Sequence, residues 1–185
     1  MASKIDTGFS VIKWPVALLA LALLPGSAVA FWGVITGVYH HFGAMIPFLG
    51  GFAAYLAAWY FLLKHPLLGS AFSTLEHELT HALFAILTGH RVTGIKTSWS
   101  KGGEMTSVGG YNWLIYAGPY FFPTFSFLLM LLMILLPLGA VTRAVFGASI
   151  AYHMTSTLRE THMGQSDLQS IGYIFSLMFL PAANV

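Results

Sequence analysis

Six apolar runs, at about residues 14–38, 44–63, 66–88, 111–137, 140–157 and 167–181, fill most of the sequence and leave only short junctions between them. A helix needs about 20 mostly apolar residues to cross the hydrocarbon core of a bilayer, and in lipid every backbone N–H and C=O must be satisfied within the element itself. The runs therefore predict an all-α polytopic membrane protein, a single membrane-embedded domain over residues 1–185 with about six transmembrane helices. The junctions are Tyr39-His40-His41-Phe42-Gly43, Lys64-His65-Pro66, Pro137-Leu138-Gly139 and Arg159-Glu160-Thr161-His162-Met163-Gly164. The last run is short enough to lie tilted or partly at the interface.

The charge content supports this reading. Charged residues make up 8% of the 185, and mean hydropathy is +0.76. A soluble domain carries about 25% charged residues, so this chain could not cover its surface with solvated groups. The same composition excludes a disordered chain. Eight basic and six acidic residues are too sparse for a nucleic-acid partner, which leaves the lipid bilayer as the surrounding medium. No cysteine is present, so any metal must be held by nitrogen and oxygen. Lys4 and Lys13 precede the first apolar stretch and Ala28-Val29-Ala30 has the form of a signal-peptide cleavage site, but apolar character continues through Phe31-Trp32-Gly33-Val34-Ile35, as in a retained helix. The basic residues divide four against four across the expected loops, so charge asymmetry sets no orientation. Trp14, Trp32, Trp59, Trp99 and Trp113 fall near run ends, where interfacial anchors belong.

Residues 89–110 break the helical pattern. Val92, Thr93, Ile95, Thr97 and Trp99 favour a strand, Lys101-Gly102-Gly103 signals a turn, and Met105 to Val108 suits a returning strand, so a β-hairpin is expected over about 91–108.

The chemistry lies in the third run, where His77-Glu78-Leu79-Thr80-His81 places two histidines four residues apart. On a helix such residues share a face, so both imidazoles can point at one ion, with Glu78 close enough to reach a water on it. This is the pattern of a metalloprotease helix, with zinc as Lewis acid and the glutamate as general base. A charged side chain at the bilayer centre costs at least about 2.5–3.5 kcal/mol, so Glu76, Glu78 and two histidines in mid-run need a reason such as a divalent cation. Glu76 lies on another side from Glu78, placed to hydrogen-bond a neighbouring helix. Ser70, Ser73 and Thr74 are candidate caps and Gly89 a stop. From 73 to 88 the helix would span about 24 Å, short of a ~30 Å core, and would let water in at one end.

Catalytic zinc takes three protein ligands and keeps a fourth position for water. The candidates for the third are Glu104, His153, Glu160, His162 and Asp167. Asp167 opens the last run, where a helix N-terminus favours an anion, and where an ordinary N-cap also belongs.

The sequence resembles the site-2 protease family of intramembrane zinc metalloproteases. The likeness rests on His77-Glu78-Leu79-Thr80-His81 in an apolar helix, its Thr88-Gly89-His90-Arg91 exit, the Gly-rich hairpin segment that follows, and Ala117-Gly118-Pro119 in the next run. It covers about residues 66–172. The family's third zinc ligand is an aspartate on a later helix, which carries over to Asp167, the one aspartate after Asp6. Family members often have Gly after this Asp and Asn and Pro near it, whereas this chain has Asp167-Leu168-Gln169. With no room for a PDZ-like or CBS-like domain, the resemblance implies a minimal member.

The resemblance further implies that one Zn2+ is held by His77, His81 and Asp167, and that Glu78 activates the water that cleaves a membrane-protein substrate. The hairpin, through residues such as Ile95 and Thr97, would capture the unwound substrate by strand addition, while Gly118 and Pro119 would open or kink the fourth helix near the site. A regulatory membrane partner, and the cell membrane as location in a prokaryote, belong to the same expectation. Other readings are a di-iron membrane oxidoreductase using His40, His41, His77, His81, His153 and His162, a b-type cytochrome with His77 and His153, a serine protease built on Ser149 and His153, and a non-catalytic metal-binding scaffold.

Overall fold

A computed structural model describes the backbone of residues 4–63, 66–98, 102–137 and 139–185, and the side chains of all of these but 66–71. The Lys64-His65 junction, Trp99, Lys101 and Leu138 lie outside the described residues. The expected class is found: helices throughout, with one two-stranded hairpin after the third.

Helix α1 (Lys4–His40) is followed almost at once by α2 (Phe42–Ala58), which runs on as a π-helical turn over Trp59–Leu63. These two are long and apolar enough to cross a membrane, and their large hydrophobic side chains are mostly exposed, as lipid contact requires. α1 starts about ten residues before its apolar run. Its N-terminal Asp6 is buried, 3.0 Å from His90 Nε2 and 3.2 Å from Asn112 Nδ2, and these bonds tie down a turn that would otherwise fray.

α3 (Pro66–Leu87) begins on a proline, whose missing N–H suits a first turn. Its 22 residues span about 33 Å, which corrects the short helix expected from 73 to 88. Ser70, Ser73 and Thr74 lie within the helix and not at its start, which is Pro66. Gly89 does stop it. At φ +78° it allows the N–H groups of Gly89 and His90 to reach back to Ile86 and Ala85, 3.0 and 2.8 Å away.

Strands β1 (Arg91–Ser98) and β2 (Gly102–Val108) pair antiparallel from Arg91↔Val108 to Ser98↔Gly102, with an irregularity between Val92 and Gly94. Both pack on α3.

The fourth run is not one helix. α4 (Trp113–Ala117) passes through a 3-10 turn at Gly118–Tyr120 into α5 (Thr124–Met133), bent by 72°. Pro119 and Pro123 lack the N–H groups a continuous helix would need. This pair counts as a third span only if its halves are taken together. α6 (Ala140–Glu160) packs on α2 so closely that Gly51 lies against the backbone of Ala144, and Gly147 against that of Phe48. Such small-residue contact is how membrane helices associate without a hydrophobic drive between them. The last run divides at Gly172 into α7 (Ser166–Ile171) and α8 (Tyr173–Ala183).

Two buried clusters meet at α4. One joins Ala17, Trp113, Tyr120, Leu168, Ile171 and Phe175; the other joins Ala82, Ala85, Met105 and Ile115. Trp113 is therefore a core residue and not an interfacial anchor, its indole N–H donating to the Phe9 carbonyl at 2.7 Å. The first cluster buries Leu168 and Ile171, and so fixes which side of the short α7 faces α3.

Candidate metal centre

α3 carries a polar stripe, Ser73, Glu76, His77, Thr80 and His81, at the three- and four-residue spacing of one helix face. Glu76 accepts the N–H of Phe125 at 2.9 Å. It thereby satisfies an open donor at the start of α5, where the helix dipole favours an anion. Thr80 donates to the Glu76 carbonyl at 2.8 Å and touches the Thr124 hydroxyl. Glu76 and Thr80 thus hold α5 against α3 along one edge of the stripe, while His77 and His81 form its other edge.

Three side chains converge. The Nε2 atoms of His77 and His81 lie 3.0 and 3.2 Å from the same oxygen, Oδ2 of Asp167. Ligand atoms of all three fall within 4.8 Å of one another, and they form the one such group among the described residues. Two ligands bonded at 2.0–2.1 Å to a tetrahedral zinc sit roughly 3.3 Å apart, so the spacing matches that of a shared ion. Two imidazoles and a carboxylate also form a common catalytic zinc donor set. The residues present fit the metal.

Both imidazoles are held from behind. His81 donates its Nδ1–H to the carbonyl of Ile115 at 2.8 Å, and His77 donates its own to Glu160 at 2.7 Å. With Nδ1 carrying the proton, each Nε2 keeps its lone pair for a metal. The Ile115 carbonyl is available because its α-helical partner would be the N–H of residue 119, which is Pro119. Gly118, beside it, lies against the Phe84 ring of α3, where any side chain would collide. Gly118 and Pro119 thus stand behind the centre and do not line it. Tyr120, 1% exposed, stacks edge-on against His77 and donates to Asp167 Oδ2 at 3.3 Å.

A cavity of about 470 Å3 opens over the three converging side chains, lined also by Glu78, by Gly102 to Met105 of β2, and by Arg159, Glu160, His162, Gln165 and Ser166. Glu78 faces the hairpin. Gly103 sits so close that a Cβ there would lie 2.6 Å from Glu78 Cγ.

Ile95 and Thr97, expected at the substrate, are on β1 and do not line this cavity. Of the other candidate ligands, Glu104 and His162 border the cavity but lie outside the ligand group, as does His153 on α6. His40 and His41, at the α1–α2 junction, lie outside it too. Sequence reading missed Tyr120, Gly103 and the Ile115 carbonyl. Tyr120 directly follows Gly118-Pro119, which was the available signal.

Residues 52–180 match the family model described as Peptidase M50B-like, a span that includes every side chain of the centre. No curated protein and no solved structure matches the chain.

Proposed function

The chain belongs to the Peptidase M50B-like family, that of the site-2 proteases, and from that premise we propose that it is an intramembrane zinc metalloendopeptidase. It hydrolyses a peptide bond within or near the transmembrane segment of a membrane-protein substrate. It is a multi-pass protein, in the cell membrane if its source is prokaryotic. The observation that carries this reading is the convergence of two imidazole nitrogens and one carboxylate oxygen beneath a cavity that Glu78 also lines.

His77, His81 and Asp167 hold one zinc ion. When bound, zinc acidifies a coordinated water and polarises the scissile carbonyl. Glu78 accepts the proton that the attacking water loses, and returns it to the amide nitrogen as the C–N bond breaks, giving a carboxyl and an amine terminus.

Helical amides are shielded by their own hydrogen bonds, so the substrate must unwind before it reacts. Among the described residues β2 pairs with β1 alone, and its other edge suits the unwound segment. The Met105 carbonyl accepts the Tyr111 hydroxyl at 2.6 Å and Met105 lines the cavity, so the edge that carries this carbonyl is the one turned to the site. Gly103, two residues earlier, shares that edge and offers its backbone for strand addition.

The test compares metal content and cleavage of a membrane-inserted model peptide between the parent protein and Glu78→Gln. One zinc per chain in both, with turnover lost only in Glu78→Gln, is the expected result. A metal-free parent, two irons per chain, or a Glu78→Gln protein that cleaves at the parent rate would each overturn the reading.

A further inference from the structure

Glu160 is the last residue of α6, and a carboxylate there faces the negative end of the helix dipole. Its side chain is also withdrawn from water, only 15% exposed. Neither condition favours an acid, so local helix chemistry does not account for the residue. Its contact does. Oε2 lies 2.7 Å from His77 Nδ1, the short distance of a charge-assisted hydrogen bond, and the imidazole itself is 10% exposed.

We propose that Glu160 is a positioning residue for the metal centre, an inference that rests on the zinc reading above. By accepting the Nδ1–H of His77 it fixes the tautomer and turns Nε2 toward Asp167 Oδ2. It also strengthens that nitrogen as a donor to a cation. Glu160 is not itself a ligand, because it meets the ring nitrogen opposite to the one that faces Asp167 and His81.

The two histidines are thus supported unequally, His81 by a neutral carbonyl and His77 by a carboxylate. A dication in this low-dielectric site is offset by Asp167 directly and by Glu160 through the ring.

The connection between the two acids keeps them in register. The Thr161 N–H returns to the Thr157 carbonyl at 2.9 Å, and that of Gln165 to the His162 carbonyl at 3.1 Å. Gln169 Nε2 and the Tyr173 hydroxyl both donate to the Met163 carbonyl, at 3.2 and 2.7 Å. One short turn, pinned from α7 and α8, therefore delivers a metal ligand at one end and the support of another ligand at the other.

The experiment measures zinc affinity by chelator competition on the full chain in detergent, for the parent, Glu160→Gln and Glu160→Ala. Metal coordination is read by X-ray absorption and by the visible spectrum of the cobalt-substituted protein. Expected are one zinc per chain throughout, an unchanged number of ligands, a shifted cobalt spectrum, and affinity weakened about 10–100-fold in Glu160→Ala. Glu160→Gln, which keeps the shape and an acceptor oxygen, loses less affinity and serves as the deciding variant if Glu160→Ala fails to fold. Affinity within twofold of the parent in the folded variants overturns the proposal. Loss of one ligand from the coordination shell also overturns it, by making Glu160 a ligand. A parent that binds no zinc sinks the metallopeptidase reading instead, so the two failures are distinguishable.

Discussion

The Nδ1–H of His81 donates to the Ile115 carbonyl, 2.8 Å away, which a helical N–H would occupy at any residue but proline four positions on. A break in α4 thereby becomes the support of a candidate metal ligand. Replacing Pro119→Ala supplies a competing N–H, so His81 loses part of its anchor while the helix gains a bond. Zinc affinity is expected to fall up to roughly tenfold, near the low end for loss of such a support. Thermal stability of the zinc-free protein should hold or rise. Chelator competition beside a melting curve checks both, and an unchanged affinity would show that the freed carbonyl does not matter.

Gly103 makes a second prediction. A methyl group there would meet Glu78 Cγ at 2.6 Å and Oε1 at 2.7 Å, so Gly103→Ala forces either the hairpin or the carboxylate to move. Both movements disturb the proton acceptor and leave the zinc ligands in place. Turnover should drop at least about tenfold, since a misplaced general base forfeits most of a 10²–10⁴-fold contribution, while zinc content stays at one per chain. Single-turnover cleavage together with metal analysis separates this from a loss of the ion.

The core of this site was legible because its chemistry is local. His77 and His81 share a face by spacing alone, Glu78 is their neighbour, and the β-branched run from Val92 announces a hairpin over about 91–108, although Gly102 and Gly103, read as its turn, pair within β2. Asp167 came through the resemblance and meets both histidines in the structure. What stayed hidden depends on partners far along the chain. Asp6 bonds His90 and Asn112, 84 and 106 residues away, and no apolar window shows that α1 should begin so early. Strand propensity points to Ile95 and Thr97 because they are β-branched. The cavity is instead bordered by β2, where a glycine allows the close approach that propensity does not measure. Ser73 reads as a cap, yet Pro66 opens the helix and Ser73 joins the buried stripe.

The Asp6 network should be structural and separable from catalysis. Asp6 and His90 are 6% and 2% exposed, and Thr88 donates to or accepts from His90 Nδ1 at 3.0 Å. Asp6→Ala leaves buried donors on His90 and Asn112 without their acceptor, which costs about 1–3 kcal/mol. The expected outcome is a lower unfolding midpoint in detergent, with turnover per folded, zinc-loaded molecule little changed. A large loss of turnover at full zinc occupancy and unchanged stability would contradict this separation.

Asp167 supplies the sharpest link between metal and fold. It joins α7 to α3 through one carboxylate oxygen shared by two imidazoles, so an ion bound there binds the folded state alone. Free zinc at 100 times its dissociation constant should then stabilise the parent by about 2.7 kcal/mol. Asp167→Ala removes a ligand and the acceptor of the Tyr120 hydroxyl, and should abolish both the zinc-dependent rise in melting temperature and the turnover. Asp167→Glu retains the charge on a longer arm and should recover part of the zinc response before it recovers any cleavage, because affinity tolerates a displaced ion better than bond-breaking geometry does. Melting curves recorded with added zinc and with a chelator test this order. An Asp167→Ala protein still stabilised by zinc to the parent's extent would transfer the third-ligand role to another residue.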